Sequence, residues 1–128
     1  HRKGTPHFRT SLTLRMTEQV VVVRDGHSWT RVCRSIDVAE GRGFHVEVDI
    51  EYDLALFRID GVVRCTTNTC PHLRISVICK GHIDDGTITC PMHGWRFRID
   101  TGENLDGGGR LKTFQVLEEQ GFVYVTLR

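Results

Sequence analysis

Four residues in the stretch 67–97 have the types and spacing of metal ligands. Cys70 and His72 form a C-x-H pair, and after 17 further residues Cys90 and His93 form a C-x-x-H pair. Thiolate and imidazole groups together bind zinc, copper or iron–sulfur clusters, so the residue types narrow the metal without naming it. The sequence therefore predicts a metal centre with two sulfur and two nitrogen ligands.

The spacing favours an iron–sulfur cluster over a zinc site. In the common zinc finger, the two cysteines form one knuckle and the two histidines form the other. Here each pair mixes a thiol with an imidazole, which suits a two-iron cluster whose irons need different ligands. Two cysteines on one iron and two histidines on the other make a Rieske [2Fe-2S] centre. A structural zinc site is the alternative.

The two pairs lie within longer motifs. CPH at 70–72 and CPMHGWRF at 90–97 resemble the two cluster-binding boxes of Rieske-type ferredoxins, and weaker similarity extends over about residues 28–127. This resemblance implies an all-β fold, an antiparallel β-sandwich with a small cluster-binding subdomain at about residues 64–98. It also implies one Rieske cluster as the cofactor, with the two histidines at an exposed tip.

The boxes depart from those of high-potential Rieske proteins. Those proteins have two extra cysteines that form a disulfide, where this chain has Ile75 and Met92. They also place a Ser and a Tyr after the second histidine, where this chain has Trp95 and Phe97. Since hydrogen bonds to the sulfurs stabilise the reduced cluster, their loss predicts a potential near the low end of the Rieske range, about −150 mV.

The segment RISVICK at 74–80 also departs from the family pattern. It has neither the glycine nor the proline-bearing loop that relatives use to cover the cluster. Ile75, Val77 and Ile78 either supply that apolar cover or belong to the core, and for Val77 and Ile78 we expect the core.

The other cysteines and several histidines lack ligand-like neighbours. We expect the three cysteines to be small apolar side chains and the histidines to be surface or hydrogen-bonded residues. These residues are Cys33, Cys65, Cys79, His27, His45 and His82.

Short strands must position these ligands. Runs of β-branched and apolar residues at 20–23, 44–48 and 54–59 are typical of strands and predict an all-β chain. The pairs Asp60-Gly61 and Asp85-Gly86 are strong hairpin signals.

Two further segments have a recognisable pattern. Gln120-Gly121 indicates a closing hairpin, with Phe114, Val116, Val123 and Val125 facing inward. Only residues 35–40 favour a helical turn, with Ser35 as its cap.

Length and charge exclude several classes of protein. With 128 residues and a formal net charge of +1, the chain fits one domain and has no basic patch for nucleic acid. No apolar run approaches the roughly 18 residues of a membrane span. Five cysteines are a poor disulfide framework, which predicts a reducing compartment such as the cytoplasm.

The N-terminal segment differs in composition from the rest. Residues 1–15 carry four basic and no acidic side chains. We therefore expect residues 1–16 to be an arm or a processing remnant and residues 17–128 to form the domain, with Met16 a candidate for the natural start.

The resemblance implies a function in electron transfer. We expect a monomeric carrier that takes one electron from a reductase to a terminal oxygenase and docks near Leu73, Ile75 and Met92. An enzyme is not expected, because the chain lacks a dinucleotide-binding motif and a separate iron triad. The alternatives are a small subunit of a larger oxidoreductase, such as nitrite reductase, and a zinc-stapled interaction module.

Overall fold

Short strands and two 3-10 turns make up the regular structure of residues 9–15, 19–71 and 74–127, which the computed structural model describes. The 3-10 turns span Ser35–Asp37 and Ile78–Lys80. The strands are β1 (Ser11–Thr13), β2 (Val21–Arg24), β3 (His27–Arg34), β4 (Phe44–Glu47), β5 (Asp53–Ile59), β6 (Val62–Thr67), β7 (His82–Asp84), β8 (Thr87–Thr89), β9 (Arg96–Arg98), β10 (Thr113–Phe114), β11 (Val116–Glu119) and β12 (Phe122–Val125). The prediction of an all-β chain is confirmed.

The three predicted hairpin turns are present, each as two residues with positive φ. Asp60 and Gly61 have φ of 51° and 82° and join β5 to β6, with Ile59 opposite Val62. The Asp85-Gly86 turn joins β7 to β8, and Gln120-Gly121 joins β11 to β12. Two-residue turns of this kind match the twist of antiparallel strands, so the glycine signals were reliable.

The strands form three sheets. The five-stranded sheet has the order β1-β4-β5-β6-β10, the four-stranded sheet β11-β12-β3-β2 and the three-stranded sheet β7-β8-β9. Strand β5 is central to the five-stranded sheet, and its alternate residues enter two different cores. Leu54 and Leu56 pack towards the four-stranded sheet, whereas Ala55 and Phe57 pack beneath the three-stranded sheet.

This arrangement explains the continuous apolar run in β5. A strand that is covered on both faces needs apolar residues at successive positions, not only at alternate ones. The five-stranded sheet is thus the middle layer, with the sandwich core on one face. The small sheet β7-β8-β9, which carries the second cysteine box, packs on its other face.

The predicted helical turn is present, but its cap differs from the expectation. Ser35–Asp37 form a 3-10 turn whose N-cap is Arg34, not Ser35. The carboxylate of Asp37 accepts a hydrogen bond from the backbone N–H of Arg34 at 3.0 Å and thus closes the first turn. A buried carboxylate replaces the Ser35 hydroxyl that sequence preference alone favoured.

The described part of the N-terminal segment belongs to the fold, contrary to the expectation that residues 1–16 lie outside it. Strand β1 pairs in parallel with β4, with Ser11 opposite His45. Arg9 donates two hydrogen bonds to the Asp37 carboxylate, at 2.9 and 2.6 Å. A long-range parallel pairing leaves no local sequence pattern, which is why composition alone set these residues aside.

Candidate metal centre

The first cysteine loop follows β6 and is closed by its own backbone. The N–H of Cys70 donates to the carbonyl of Ile75 at 2.9 Å, and the N–H of Arg74 donates to the carbonyl of Cys70 at 2.7 Å. Arg74 has a φ of 57°, in the left-handed region that non-glycine residues rarely adopt. The loop therefore turns back on itself at Arg74.

The second cysteine loop repeats this geometry. The N–H of Cys90 donates to the carbonyl of Trp95 at 2.8 Å, and the N–H of Gly94 donates to the carbonyl of Cys90 at 3.0 Å. Gly94 has a φ of 75°, at the position that Arg74 takes in the first loop. Two loops of one design thus present Cys70 and Cys90 in equivalent positions.

The two cysteine thiols meet at the base of these loops. Cys70 is 2% exposed and Cys90 is 1% exposed, and their thiols lie within hydrogen-bonding reach of each other. Burial raises the pKa of the Cys90 thiol, whereas hydrogen bonds from the N–H groups of Met92 and His93 lower it. Two adjacent buried thiols next to backbone donors suit thiolate ligands of one iron.

The predicted histidine ligands are less completely defined. His93 lies on the second loop and is exposed, whereas His72 and the neighbouring Leu73 lie outside the described residues. Among the described residues, no group of three or more His, Cys, Asp and Glu side chains could hold a metal ion. The cysteine pair is thus brought together, and the set of four ligands stays a prediction.

A buried apolar cluster supports the two thiols. Cys70 and Cys90 belong to the same core as Ile78 and Phe97, both of which are 0% exposed, and Val77 packs against it. The expectation that Val77 and Ile78 belong to the core is met. Ile75, by contrast, remains 39% exposed.

A third loop, residues 104–110, borders both cysteine loops, and this position was not predicted from the sequence. A Cβ atom on Gly107 would lie 3.1 Å from the Trp95 ring, and one on Gly109 would lie 3.9 Å from Pro71. Asp106 anchors this loop by accepting hydrogen bonds from the backbone and guanidinium of Arg96. Three consecutive glycines at 107–109 are typical of a loop, but nothing in them indicates its neighbours.

The remaining thiols are Cys33, Cys65 and Cys79. Only Cys79 packs against the cluster that contains Cys70 and Cys90. Cys33 and Cys65 are buried in the sandwich core, and burial raises the pKa of Cys33 to about 12. Cys79 is half-buried, and burial raises its pKa as well. None of the five cysteines, which all lie among the described residues, forms a disulfide bond.

Three histidines outside the boxes lie among the described residues, and they occupy ordinary positions. The Nε2 atom of His45 forms a hydrogen bond with the Asp53 carboxylate across β4 and β5. His27 and His82 are exposed at the starts of β3 and β7. This agrees with the expectation that these histidines are structural or surface residues.

This site joins a buried sulfur pair to an exposed imidazole. Cys70 and Cys90 can hold an iron out of water, and His93 can bind a second iron on the solvent side. The described residues fit the sulfur half of a Rieske centre and one of its two nitrogen ligands.

Comparisons with known proteins agree with this geometry. Residues 28–115 match the family model described as Rieske [2Fe-2S] domain. Ferredoxin CarAc of Metapseudomonas resinovorans is 31% identical over 76% of this chain and 92% of its own length.

Two solved structures are also similar. One is a complex of reduced oxygenase and oxidized ferredoxin in carbazole 1,9a-dioxygenase, in which the matching chain has a TM-score of 0.69 and 31% identity, over 75% of this chain and 99% of its own length. The other is a putative NADH-dependent nitrite reductase small subunit from Mycobacterium tuberculosis, with a TM-score of 0.72 and 25% identity, over 85% of this chain and 97% of its own length.

The chain also matches small parts of much longer proteins. It spans 24% of the length of cholesterol 7-desaturase nvd from Hemicentrotus pulcherrimus. It spans 14% of the length of protein TIC 55 from Arabidopsis thaliana.

Proposed function

Because this chain belongs to the Rieske [2Fe-2S] domain family, we propose that it is a carrier that moves one electron at a time from a reductase to a terminal oxygenase. A Rieske cluster supplies a one-electron couple when it is bound. Cys70 and Cys90 would hold its buried iron, and His72 and His93 would hold the other iron.

The observation that carries this proposal is the opposition of the two cysteine loops. They bring the buried thiols of Cys70 and Cys90 together. His93, which lies on the second loop with Cys90, is exposed. An electron carrier needs a short path from its metal to solvent, and an exposed ligand histidine provides one. Catalysis would take place on the partner, so the chain itself would act as a carrier and not as an enzyme.

The partner would dock on the apolar side chains around the cysteine loops. Ile75 is 39% exposed and Met92 is 47% exposed, one on each cysteine loop. Leu105, on the third loop, is 41% exposed and extends this surface beyond the predicted docking residues. Leu73 was also predicted here and lies outside the described residues. A small apolar surface suits the brief contacts of redox proteins.

The related carbazole dioxygenase complex supports an oxygenase as the partner. That structure is a complex of a ferredoxin with an oxygenase, and the similarity covers 99% of its matching chain. A cytoplasmic, monomeric carrier is part of the proposal, and five cysteines without a disulfide bond are consistent with a reducing compartment.

A second candidate is a fixed small subunit of a larger oxidoreductase. The similarity to the nitrite reductase small subunit favours it, since that match covers 85% of this chain. Size-exclusion chromatography of the natively expressed protein distinguishes the two: a carrier elutes alone, and a subunit elutes with a large partner.

A redox titration followed by EPR tests the proposed function. We expect a brown protein that takes up one electron per chain at a low potential, about −150 mV, with the EPR spectrum of a reduced Rieske cluster. A colourless protein that contains zinc and shows no redox transition would contradict the proposal.

Cysteine variants test the ligand assignment. Cys70→Ala and Cys90→Ala should lose nearly all bound iron, since each removes one of the two thiolates. Cys79→Ala is the matched control, because this half-buried thiol is predicted to be inert and should keep the iron. Full iron content in Cys70→Ala would show that the assignment is wrong.

A further inference from the structure

The first cysteine loop begins and ends on one buried residue, Asn68. This residue directly follows β6, lies two positions before Cys70 and is 1% exposed. Its backbone carbonyl accepts hydrogen bonds from the N–H groups of Val77 and Ile78, both at 3.0 Å. The chain thus leaves the middle sheet at Asn68 and returns to it after the loop.

The side-chain amide of Asn68 closes the base of the loop a second time. Its Oδ1 accepts a hydrogen bond from the N–H of Cys79 at 2.7 Å, and its Nδ2 donates to Oδ2 of Asp53 at 3.4 Å. The other carboxylate oxygen of Asp53 is held by the His45 ring. A flipped amide would place donor against donor and acceptor against acceptor, so Asp53 selects the orientation that binds Cys79.

The 3-10 turn that carries Cys79, and the glycine that follows it, are in close backbone contact with neighbouring segments. A Cβ atom on Gly43 would collide with the Cys79 carbonyl oxygen, and one on Gly81 would collide with the Thr89 carbonyl oxygen. Thr89 directly precedes Cys90. The turn therefore links Asn68, near one cysteine, to the strand end that leads to the other.

We propose that Asn68 is a positioning residue for the metal centre and that Asp53 orients its amide. This rests on the proposed function, because it concerns the spacing of the same two cysteines. Without the amide, the N–H of Cys79 loses its acceptor and the base of the loop loosens. Cys70 then no longer keeps its place relative to Cys90, so the metal is held less firmly and its electronic environment changes.

Exchanging the two side chains tests this proposal. Asn68→Asp keeps an oxygen that could accept the Cys79 N–H, but it places a second carboxylate against Asp53, and repulsion of the like charges moves the side chain away from Cys79. The double variant Asn68→Asp, Asp53→Asn restores a donor–acceptor pair in the opposite direction and keeps acceptors for His45 and Cys79. We expect Asn68→Asp to release iron to a chelator about tenfold faster, and the double variant to return to within about twofold of the wild-type rate.

Two further readouts distinguish positioning from a general loss of stability. The EPR spectrum of the reduced protein should change in Asn68→Asp and return in the double variant. Asp49→Ala is the control, because it also removes an acceptor of backbone N–H groups, from Glu51 and Tyr52, but in the β4–β5 turn. It should lower stability and leave the EPR spectrum unchanged.

The outcomes separate this inference from the proposed function. The inference is overturned if Asn68→Asp keeps the wild-type spectrum and iron-release rate, or if the double variant is no better than the single one. If the wild-type protein holds no cluster, the proposed function fails. Hydrogen exchange of the Cys79 amide then still tests Asn68, since Asn68→Ala should speed it by about tenfold or more and an unchanged rate overturns the inference.

Discussion

One residue in the first cysteine loop has a backbone conformation that its side chain disfavours. Arg74 has a φ of 57°, whereas the equivalent position of the second loop is Gly94, with a φ of 75°. We expect Arg74→Gly to stabilise the protein by about 0.5–1 kcal/mol, because relief of left-handed strain outweighs the extra freedom of glycine in the unfolded chain. Urea unfolding measures this difference.

The second loop supplies the matched control for that substitution. Within the described part of the chain, and apart from the two neighbouring residues, no atom lies within 4 Å of a Cβ placed on Gly94, so Gly94→Ala adds backbone strain without a collision there. It should destabilise the protein by about 1 kcal/mol. The interpretation of the two loops as equivalent would be wrong if both substitutions changed stability in the same direction.

Phe97 and Trp95 are predicted to keep the reduction potential low, because neither side chain has the hydroxyl that high-potential relatives carry at that position. Phe97 is fully buried in the core that contains both cysteines, at a position where high-potential relatives place a tyrosine. Phe97→Tyr should raise the midpoint potential by about 60 mV, equivalent to about 1.4 kcal/mol for one electron, because its hydroxyl would stabilise the reduced state. Phe122→Tyr, on β12, should leave the potential unchanged. Equal potentials for wild type and Phe97→Tyr would refute this role.

At this scale the sequence predicted that Cys70 and Cys90 belong to one site, but it did not predict their surroundings. Cys70 and Cys90 were identified because residue type and spacing restrict metal ligands strongly. Asn68 was missed, since a single asparagine has no distinctive spacing and its importance arises only from burial and five hydrogen bonds.

At the scale of the element, local turn chemistry predicted the hairpins better than the strand partners. The Asp60-Gly61 and Asp85-Gly86 turns could be located because both positions need positive φ. The parallel pairing of β1 with β4 joins residues more than 30 positions apart, and no single turn connects the two strands directly. Such contacts depend on the whole fold, so composition misplaced the N-terminal segment.

The link between this segment and the Ser35–Asp37 turn should depend on pH. Burial opposes the ionised form of Asp37, but hydrogen bonds from Arg9 and Arg34 prevail and lower its pKa to about 2. Since the unfolded value is about 3.9, the ionised carboxylate stabilises the fold above about pH 4, and this is lost as the pH falls towards 2. The contribution near pH 7 is about 2 kcal/mol.

Asp37→Asn tests this link. The variant should be less stable than wild type by about 2 kcal/mol at pH 7, and the difference should shrink between about pH 4 and pH 2, as followed by urea unfolding. Asp100→Asn is the control, because its partner Arg98 is exposed and such pairs contribute little. A difference that stays constant down to pH 2 would contradict the assignment of Asp37.

At the scale of the whole molecule, the protein has three layers of sheet, and the middle layer separates the sandwich core from the metal centre. The sandwich core lies on one face of the middle sheet, and the small sheet with the cysteine loops lies on the other. Changes at the tips of the cysteine loops should therefore alter partner contacts without unfolding the sandwich. Exposed apolar residues on the cysteine loops and on the Ser35–Asp37 turn allow this separation to be tested.

The docking surface should lie at the cysteine loops and the third loop beside them. Ile75→Asn and Met92→Asn remove exposed apolar side chains at 39% and 47% exposure and add no charge near the metal. Each should slow electron transfer to a Rieske oxygenase by about tenfold in stopped-flow experiments, with the midpoint potential nearly unchanged, because docking contacts are lost and the ligands are kept. Ile36→Asn is the matched control, since Ile36 is 73% exposed on the Ser35–Asp37 turn, away from the cysteine loops. Equal slowing by all three variants would mean that the partner does not dock at the exposed histidine, and the electron would then need another route out of the protein.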